Sequence, residues 1–444
     1  MRKKRNRKMV EVLVVNESCC GIDIGSKSFV VATGLTAEDV KEYGVFTEDI
    51  DTLIKDLKSK QVKNIAMEST GSYWQPLFSA LQLSGFDVRL VDGKQTKNYK
   101  KKTDFQDARS IYQLHRLGFL KSCFLPDEFT ESLRSLVRHR AQILKENARC
   151  VNRMQKLLRL MNFRIDNIIS DVVGRSGRRL IEAIIDGKTD KEYLVSLVDH
   201  RVRKSKEELL KGLLGQIDVT KVFILSDCYN AFINNEKRVK SIDHQIKILL
   251  EEVVKDTPLR KGTTKVVNKN QINIGLQNLS YRYYGVDLFA IDNVSYNLVL
   301  SFISEVGLGV NKFDSHKEFC SWLRLAPNNK ISGGKILSSR TPKGKSPLAV
   351  ALRNAANTIS RKKEGYLPAF FKRIAYKKGR AAAITATARK LATIMFNMVK
   401  NQEEYFPMSE KQVSDQIKQK VINNFMRKMK QFQIDPRTLD LQFS

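Results

Sequence analysis

The stretch "CCGIDIGSKSFVVATG", residues 19–34, reads as two apolar runs broken by a polar turn at Gly25–Lys27. Short apolar runs bounded by Gly and Ser are strand signals. One residue does not belong. Asp23 sits between Ile22 and Ile24, where a buried strand calls for an apolar side chain. A buried carboxylate is costly unless something positive satisfies it.

Working outward, "KEYGVF" (41–46) is a third short strand, and the three suit an antiparallel meander. "DIDTLIKDLKSK" (49–60) then carries Leu53, Ile54 and Leu57 on one helical face. "NIAMES" (64–69) is a strand, "YWQPLFSALQLSG" (73–85) a helix closed by Gly85, and "DVRLVDG" (87–93) another strand. "DFQDARSIYQLHRLG" (104–118) is a helix with Ala108, Ile111, Tyr112 and His115 at helical spacing. The order is β-β-β-α-β-α-β-α. Right-handed crossovers place the strands at 19–24, 65–69 and 87–91 side by side and parallel.

Residues 128–163 read as one long helix. Leu133, Leu136, Val137, Ile143, Leu144, Val151, Met154, Leu157, Leu158 and Met161 form a heptad-like stripe, with Arg140 and Asn147 at seam positions. This is either a core helix or a long coiled-coil arm that dimerises, and a second helical stretch at 228–254 is available to pack on it. Residues 256–285 are polar and basic and read as a linker or insertion. Residues 286–400 form a mostly α-helical C-terminal domain around a Gly/Ser/Lys-rich loop at 327–347. The expected division is a basic arm (1–17), an α/β domain (18–125), a helical coiled-coil region (126–255), the linker (256–285), the C-terminal domain (286–400) and a basic tail (401–444).

The formal net charge is +31 over 444 residues. Such a charge serves no small-metabolite enzyme; it fits a partner dense in phosphates. The basic residues are spread along the chain rather than gathered on one amphipathic helix, which argues against a membrane surface. No run approaches a membrane span, and mean hydropathy is −0.34. The leader "MRKKRNRKMVEVLVV" mimics a signal peptide but contains Glu11 and lacks a small-residue cleavage site. Six cysteines without a C-x-x-C, and five histidines, offer no zinc spacing and indicate a reduced, intracellular protein. With a polyanion as partner, the expected location is cytoplasmic and nucleoid-associated.

Four carboxylates stand out. Asp23 lies in the first strand and Glu68 ends the fourth. Asp104 and Asp107 open the last helix three residues apart, so they face the same way. Read singly, Asp104 is a helix N-cap, Asp107 a first-turn charge, Glu68 a surface acid and Asp23 a solvated edge residue. Read together they converge at the carboxyl end of the parallel strands, where open α/β sheets bind ligands. A set of hard oxygen donors favours Mg²⁺, with Mn²⁺ as substitute, and can hold two ions for in-line phosphoryl displacement. Lys94, Lys97, Lys100, Lys101 and Lys102 precede the pair and form the expected approach for a polyanion.

The motifs "GIDIGSKSFVVA", "AMESTGSYW" and "KKTDFQDARSIYQL" resemble the RuvC-like, ribonuclease H-fold N-terminal domain of IS110-family transposases. The resemblance implies that Asp23, Glu68, Asp104 and Asp107 are its acidic tetrad. "SDVVGRSGRRLIEAIIDG" (170–187) is similar to the family's middle segment. "FDSHKEFCSWLRLAP", "KISGGKILSSRT", "LRNAANTI" and "AITATARKLATIMFNMVK" are similar to its C-terminal transposase domain.

In that last region Ser332 precedes Gly333 and Gly334, among Lys335, Arg340, Lys343, Lys345 and Arg353. On these residues alone the loop reads as a phosphate-contacting or plain turn segment, with no histidine near to activate the serine. The resemblance implies that Ser332 is the nucleophile and forms a phosphoserine link to DNA. It further implies an active site shared between subunits of a dimer or tetramer, and an element-encoded bridge RNA that pairs with target and donor DNA. Two departures stand out. "FAIDNVSYNLVLSFISEVG" (289–307) lacks the family's Gly-rich hairpin, and Gly344-Lys345 replaces Gly-Asn. The competing readings are a metal-dependent nuclease without a covalent intermediate, and a non-enzymatic basic RNA-binding or chromosome-organising protein.

Overall fold

A strand that is apolar on both sides belongs in the middle of a sheet, and β1 (Cys19–Ile24) lies there. In the computed structural model, which describes residues 14–96, 103–344, 346–406 and 410–433, the chain divides into two units, Met1–Leu125 and Pro126–Ser444.

In the first unit, β1 pairs antiparallel with β2 (Phe29–Ala32), which pairs antiparallel with β3 (Val40–Tyr43). On its other side β1 pairs parallel with β4 (Asn64–Glu68), and β4 pairs parallel with β5 (Asp87–Val91). The order is β3-β2-β1-β4-β5, so the meander and the three parallel strands stand as the sequence alternation indicates. Helices α1 (Thr47–Ser59) and α2 (Trp74–Leu83) contribute Leu53, Leu57, Leu77 and Leu81 to a core with Cys20, Ile22 and Ile24. After the short α3 (Gly93–Thr96), α4 (Asp104–Arg116) covers the opposite face, where Ala108 and Tyr112 meet Cys19, Val30 and Ala32. Side chains alternate along a strand. Cys19, Gly21 and Asp23 therefore share the α4 face of β1, and Cys20, Ile22 and Ile24 take the other.

The second unit begins with α5 (Glu128–Leu160). The short helices α6 (Ile165–Ile168), α7 (Arg175–Ile185), α8 (Lys191–Ser196) and α9 (Lys206–Gly212) follow, and then the long α10 (Val219–Val253). Helices α5 and α10 pack along each other, and their direction is antiparallel, since Arg140 meets Asp243 and Glu146 meets Arg238. Arg140 and Asn147 are buried (4% and 8% exposed). The polar seam of the heptad stripe thus faces α10 of the same chain, and the guanidinium of Arg140 is held by the Asp243 carboxylate. That intrachain cover occupies the stripe that a coiled-coil dimer would use.

The segment 256–285 departs from the linker reading. Its last part is α11 (Leu276–Tyr284), with Leu276, Leu279 and Tyr284 buried. Three tyrosines and a basic flank mask the apolar spacing in the sequence. The C-terminal part continues with α12 (Tyr296–Val306), α13 (His316–Trp322), β6 (Lys330–Ser332) and β7 (Lys335–Ser338), and closes with α14 (Pro347–Ile359), α15 (Tyr366–Asn401) and α16 (Glu410–Gln431). In its core Phe302 meets Phe319 edge to face, with ring centroids 6.2 Å apart, and Phe319 stacks on Phe396 at 5.3 Å. Helix α15 breaks at Gly379 (φ 79°, ψ 167°). The start of α5 is clamped to the end of α12. Arg138 donates twice to the buried Glu305 carboxylate at 3.0 and 2.9 Å, and Arg134 donates to the Glu305 backbone carbonyl at 2.8 Å. Among the described residues no helix is long and apolar enough to cross a membrane. All six cysteines are free, four of them buried.

Candidate active site

The acidic site grows from one close contact. A methyl group on Gly21 would collide with the Tyr112 amide nitrogen and lie 2.7 Å from the Ala108 carbonyl oxygen. Without a side chain at 21, α4 sits directly on β1, and its first turn comes level with Asp23, two residues along the same face. Thr103, not Asp104, caps the helix: its hydroxyl accepts from the Gln106 amide at 3.3 Å, with extended backbone at φ −135°, ψ 145°. A threonine just outside the helix does the capping that the sequence assigns to Asp104. Asp104 is therefore left exposed on the first turn with Asp107 beside it.

Glu68 ends β4, next to β1 in the sheet. Its Oε2 accepts a hydrogen bond from the hydroxyl of Thr96, the last residue of α3, at 2.6 Å. Thr96 is buried, and Lys94 stands exposed on the same short helix. Nothing in the sequence sets Thr96 or Thr103 apart beyond the "DGKQT" (92–96) that follows a strand.

Electrostatics joins the four acids. Burial pushes the Asp23 carboxyl up to about 6, and the negative charges of Asp104, Asp107 and Glu68 push the same way. Asp23 thus feels the other three carboxylates, and a concentration of negative charge of this kind draws in a multivalent cation. Among the described residues, no three Asp, Glu, His or Cys side chains close to ligating distance. The donor set is oxygen only, which fits a hard divalent ion.

Ser332 lies in the second unit, exposed at the end of β6. The Gly/Ser/Lys-rich loop is in part a β-hairpin. Ser332 pairs with Lys335 across Gly333 and Gly334, at φ 52° and 76°. Positive φ at both central positions is the type I′ turn, open to glycine at low cost. The turn sets the Lys335 ammonium and the Ser332 hydroxyl on one face of the hairpin. Arg340 and Lys343 are exposed beyond it and Arg353 is half-buried on α14. The Lys343 carbonyl accepts from the Arg324 guanidinium, which ties that segment down. Lys97, Lys100, Lys101, Lys102 and Lys345 lie outside the described residues.

A family model for the DEDD transposase domain of IS110 elements matches residues 20–163. A second, described as transposase of the IS116/IS110/IS902 family, matches residues 288–372. Together they take in just over half of the chain. The chain belongs to the IS110 family of transposases. It is accordingly a DNA transposase, and DNA is its partner. The DEDD match makes the five-stranded sheet the family's RuvC-like domain and indicates use of a divalent metal. The second match spans α12 to the start of α15, and with it the Ser332 hairpin. No curated protein matches the sequence.

Proposed function

We propose that this transposase cuts and rejoins DNA with Ser332 as nucleophile, assisted by divalent ions held by Asp23, Glu68, Asp104 and Asp107. The observation that carries the acidic half is the raised Asp23 carboxyl, which reports three further carboxylates around it. Mg²⁺ or Mn²⁺ bound there would stabilise charge on phosphoryl oxygens. Ser332 Oγ attacks a backbone phosphorus and gives up its proton. The O–P bond forms as the bond to one DNA oxygen breaks, and that oxygen leaves as a hydroxyl end. A second hydroxyl end later displaces the serine. Each step exchanges one phosphodiester for another, so no energy-rich cofactor is consumed. Lys335 supplies positive charge beside the serine.

The same reading includes guidance by an element-encoded bridge RNA, for which the charge of +31 leaves room beside DNA. It also includes assembly as a dimer or tetramer. Exposed Val421, Ile422 and Phe425 on α16 offer apolar surface for that assembly. Within the second unit we keep the division into helical region (126–255), connecting segment (256–285), transposase domain (286–400) and tail (401–444).

The test is a trapping assay. Protein, labelled element-end DNA, Mg²⁺ and RNA transcribed from the element's flank are mixed, then denatured. A labelled band at protein size that disappears in Ser332→Ala supports the serine mechanism. Cleavage without an adduct, unchanged in Ser332→Ala, identifies a plain metal-dependent nuclease instead.

A further inference from the structure

The C-terminal unit carries a groove of about 1160 Å³ between the β6–β7 hairpin and the two halves of α15 on either side of Gly379. Arg340, Lys378, Arg389 and Lys390 line it, and no carboxylate does among the described residues. Four cations facing one cavity without an acid repel one another, a cost that folding alone does not reward. Several arginines elsewhere in this unit do have a carboxylate partner: Arg140 has Asp243, Arg178 has Glu236, and Arg134 and Arg138 have Glu305. The floor holds Ala381, Ala382 and Ala386, with Thr385 among them. Small side chains let a bulky backbone approach the helix, while the Thr385 hydroxyl donates to the Ala381 carbonyl of its own helix.

We propose that this groove is a track for the DNA sugar-phosphate backbone, with Lys378 and Arg389 as its principal phosphate contacts. The occupant is DNA rather than RNA because one wall is the Ser332 hairpin: Ile336, Ser339 and Arg340 lie within eight residues of the serine. A strand positioned for attack at Ser332 must pass this hairpin. Both walls at α15 past residue 372 lie beyond the segment that the family model matches. The proposal rests on the reading that this unit acts on DNA, and it adds residues that hold the strand rather than react with it.

The experiment measures binding, not chemistry, so an inert Ser332 would leave the result readable. Full-length Ser332→Ala protein is titrated with a labelled random-sequence DNA duplex across a salt series. The same is done after adding Lys378→Gln and Arg389→Gln. Each phosphate contact contributes about 0.9 to the slope of log affinity against log salt on duplex DNA. The double variant should therefore lose affinity, with a slope shallower by about 1.8. Arg389→Lys, which keeps the charge, should restore its share. A control removing Lys188, exposed in the loop after α7, and Lys211, exposed on α9, should leave the slope unchanged. An unchanged slope in a variant whose melting temperature matches the parent overturns the proposal. So does a slope that changes for a single-stranded RNA probe and not for DNA, since it would make the groove an RNA site.

Discussion

Thr96 donates its hydroxyl to Oε2 of Glu68 at 2.6 Å, and so fixes one acid of the candidate metal site from an element outside the sheet. Partners that orient a ligand typically contribute 10- to 100-fold in metal affinity or activity. Thr96→Val keeps the shape and removes the donor. We expect Mg²⁺ affinity, read by calorimetry, to fall by about tenfold or more, with little change in melting temperature. Unaltered affinity would show that Glu68 needs no such orientation.

Gly21→Ala places a methyl group against the Tyr112 amide and the Ala108 carbonyl. Both obstacles are backbone, so α4 must move off β1. Overpacking of this kind costs about 1–3 kcal/mol or more. Loss of strand transfer should exceed what the drop in melting temperature explains, because Asp104 and Asp107 move with the helix. Wild-type activity in a destabilised variant would separate the helix position from the chemistry.

The pH behaviour follows from Asp23, raised to about 6 in the fold from an ordinary value near 4. Between those values the folded chain binds more protons than the unfolded one. Stability from this group is therefore present at low pH and lost as pH rises from about 4 to 6. Asp23→Asn removes the penalty. In chelator at pH 7 it should be more stable than wild type by about 1–2 kcal/mol, the two-unit shift discounted for partial exposure. The gap should close below pH 4. His115, buried on α4 and lowered to about 4 by burial and by Arg89, opposes it: its contribution grows as pH rises through 4 to 6.5. Comparing the two chains cancels that background.

Glu305 is 5% exposed and neutralises both Arg134 and Arg138. Glu305→Ala removes the buried carboxylate shared by both arginines, leaving Arg138 without a partner and the buried Arg134 with only the half-exposed Glu131; breaking a buried pair usually costs about 3–5 kcal/mol. Denaturant unfolding should show a loss of that order, while Glu131→Ala, on the exposed side of Arg134, should cost under about 1 kcal/mol. Equal effects would argue against the clamp.

The strand alternation around Asp23 was legible because the pattern is local: apolar runs, Gly turns and two crossover helices leave one arrangement. The electrostatic coupling of Asp23 to Glu68, Asp104 and Asp107 was legible too, from strand order and i,i+3 spacing. What escaped was set by tertiary contact. Thr103 took the cap from Asp104 because the residue one place earlier has the extended backbone a cap needs. Arg134 and Arg138 look like phosphate-seeking charges on a helix face until Glu305, over 160 residues away in sequence, occupies them. The Ser332 hairpin was hidden because Ser-Gly-Gly-Lys reads as a flexible loop unless the two glycines are seen to share positive φ.

The antiparallel pair of α5 and α10 has a mechanical corollary. Helix α5 alone, 33 residues long, reaches about 50 Å. A one-turn slip against its neighbour would set Arg140 level with Val239 and Lys240 or with Ile246 and Lys247, and leave Asp243 without its partner. The pair behaves as a strut with a keyed joint: it transmits displacement lengthwise and resists shear. Any bending of the α5–α10 pair is thereby left to the connections at its ends, residues 161–164 and 215–218.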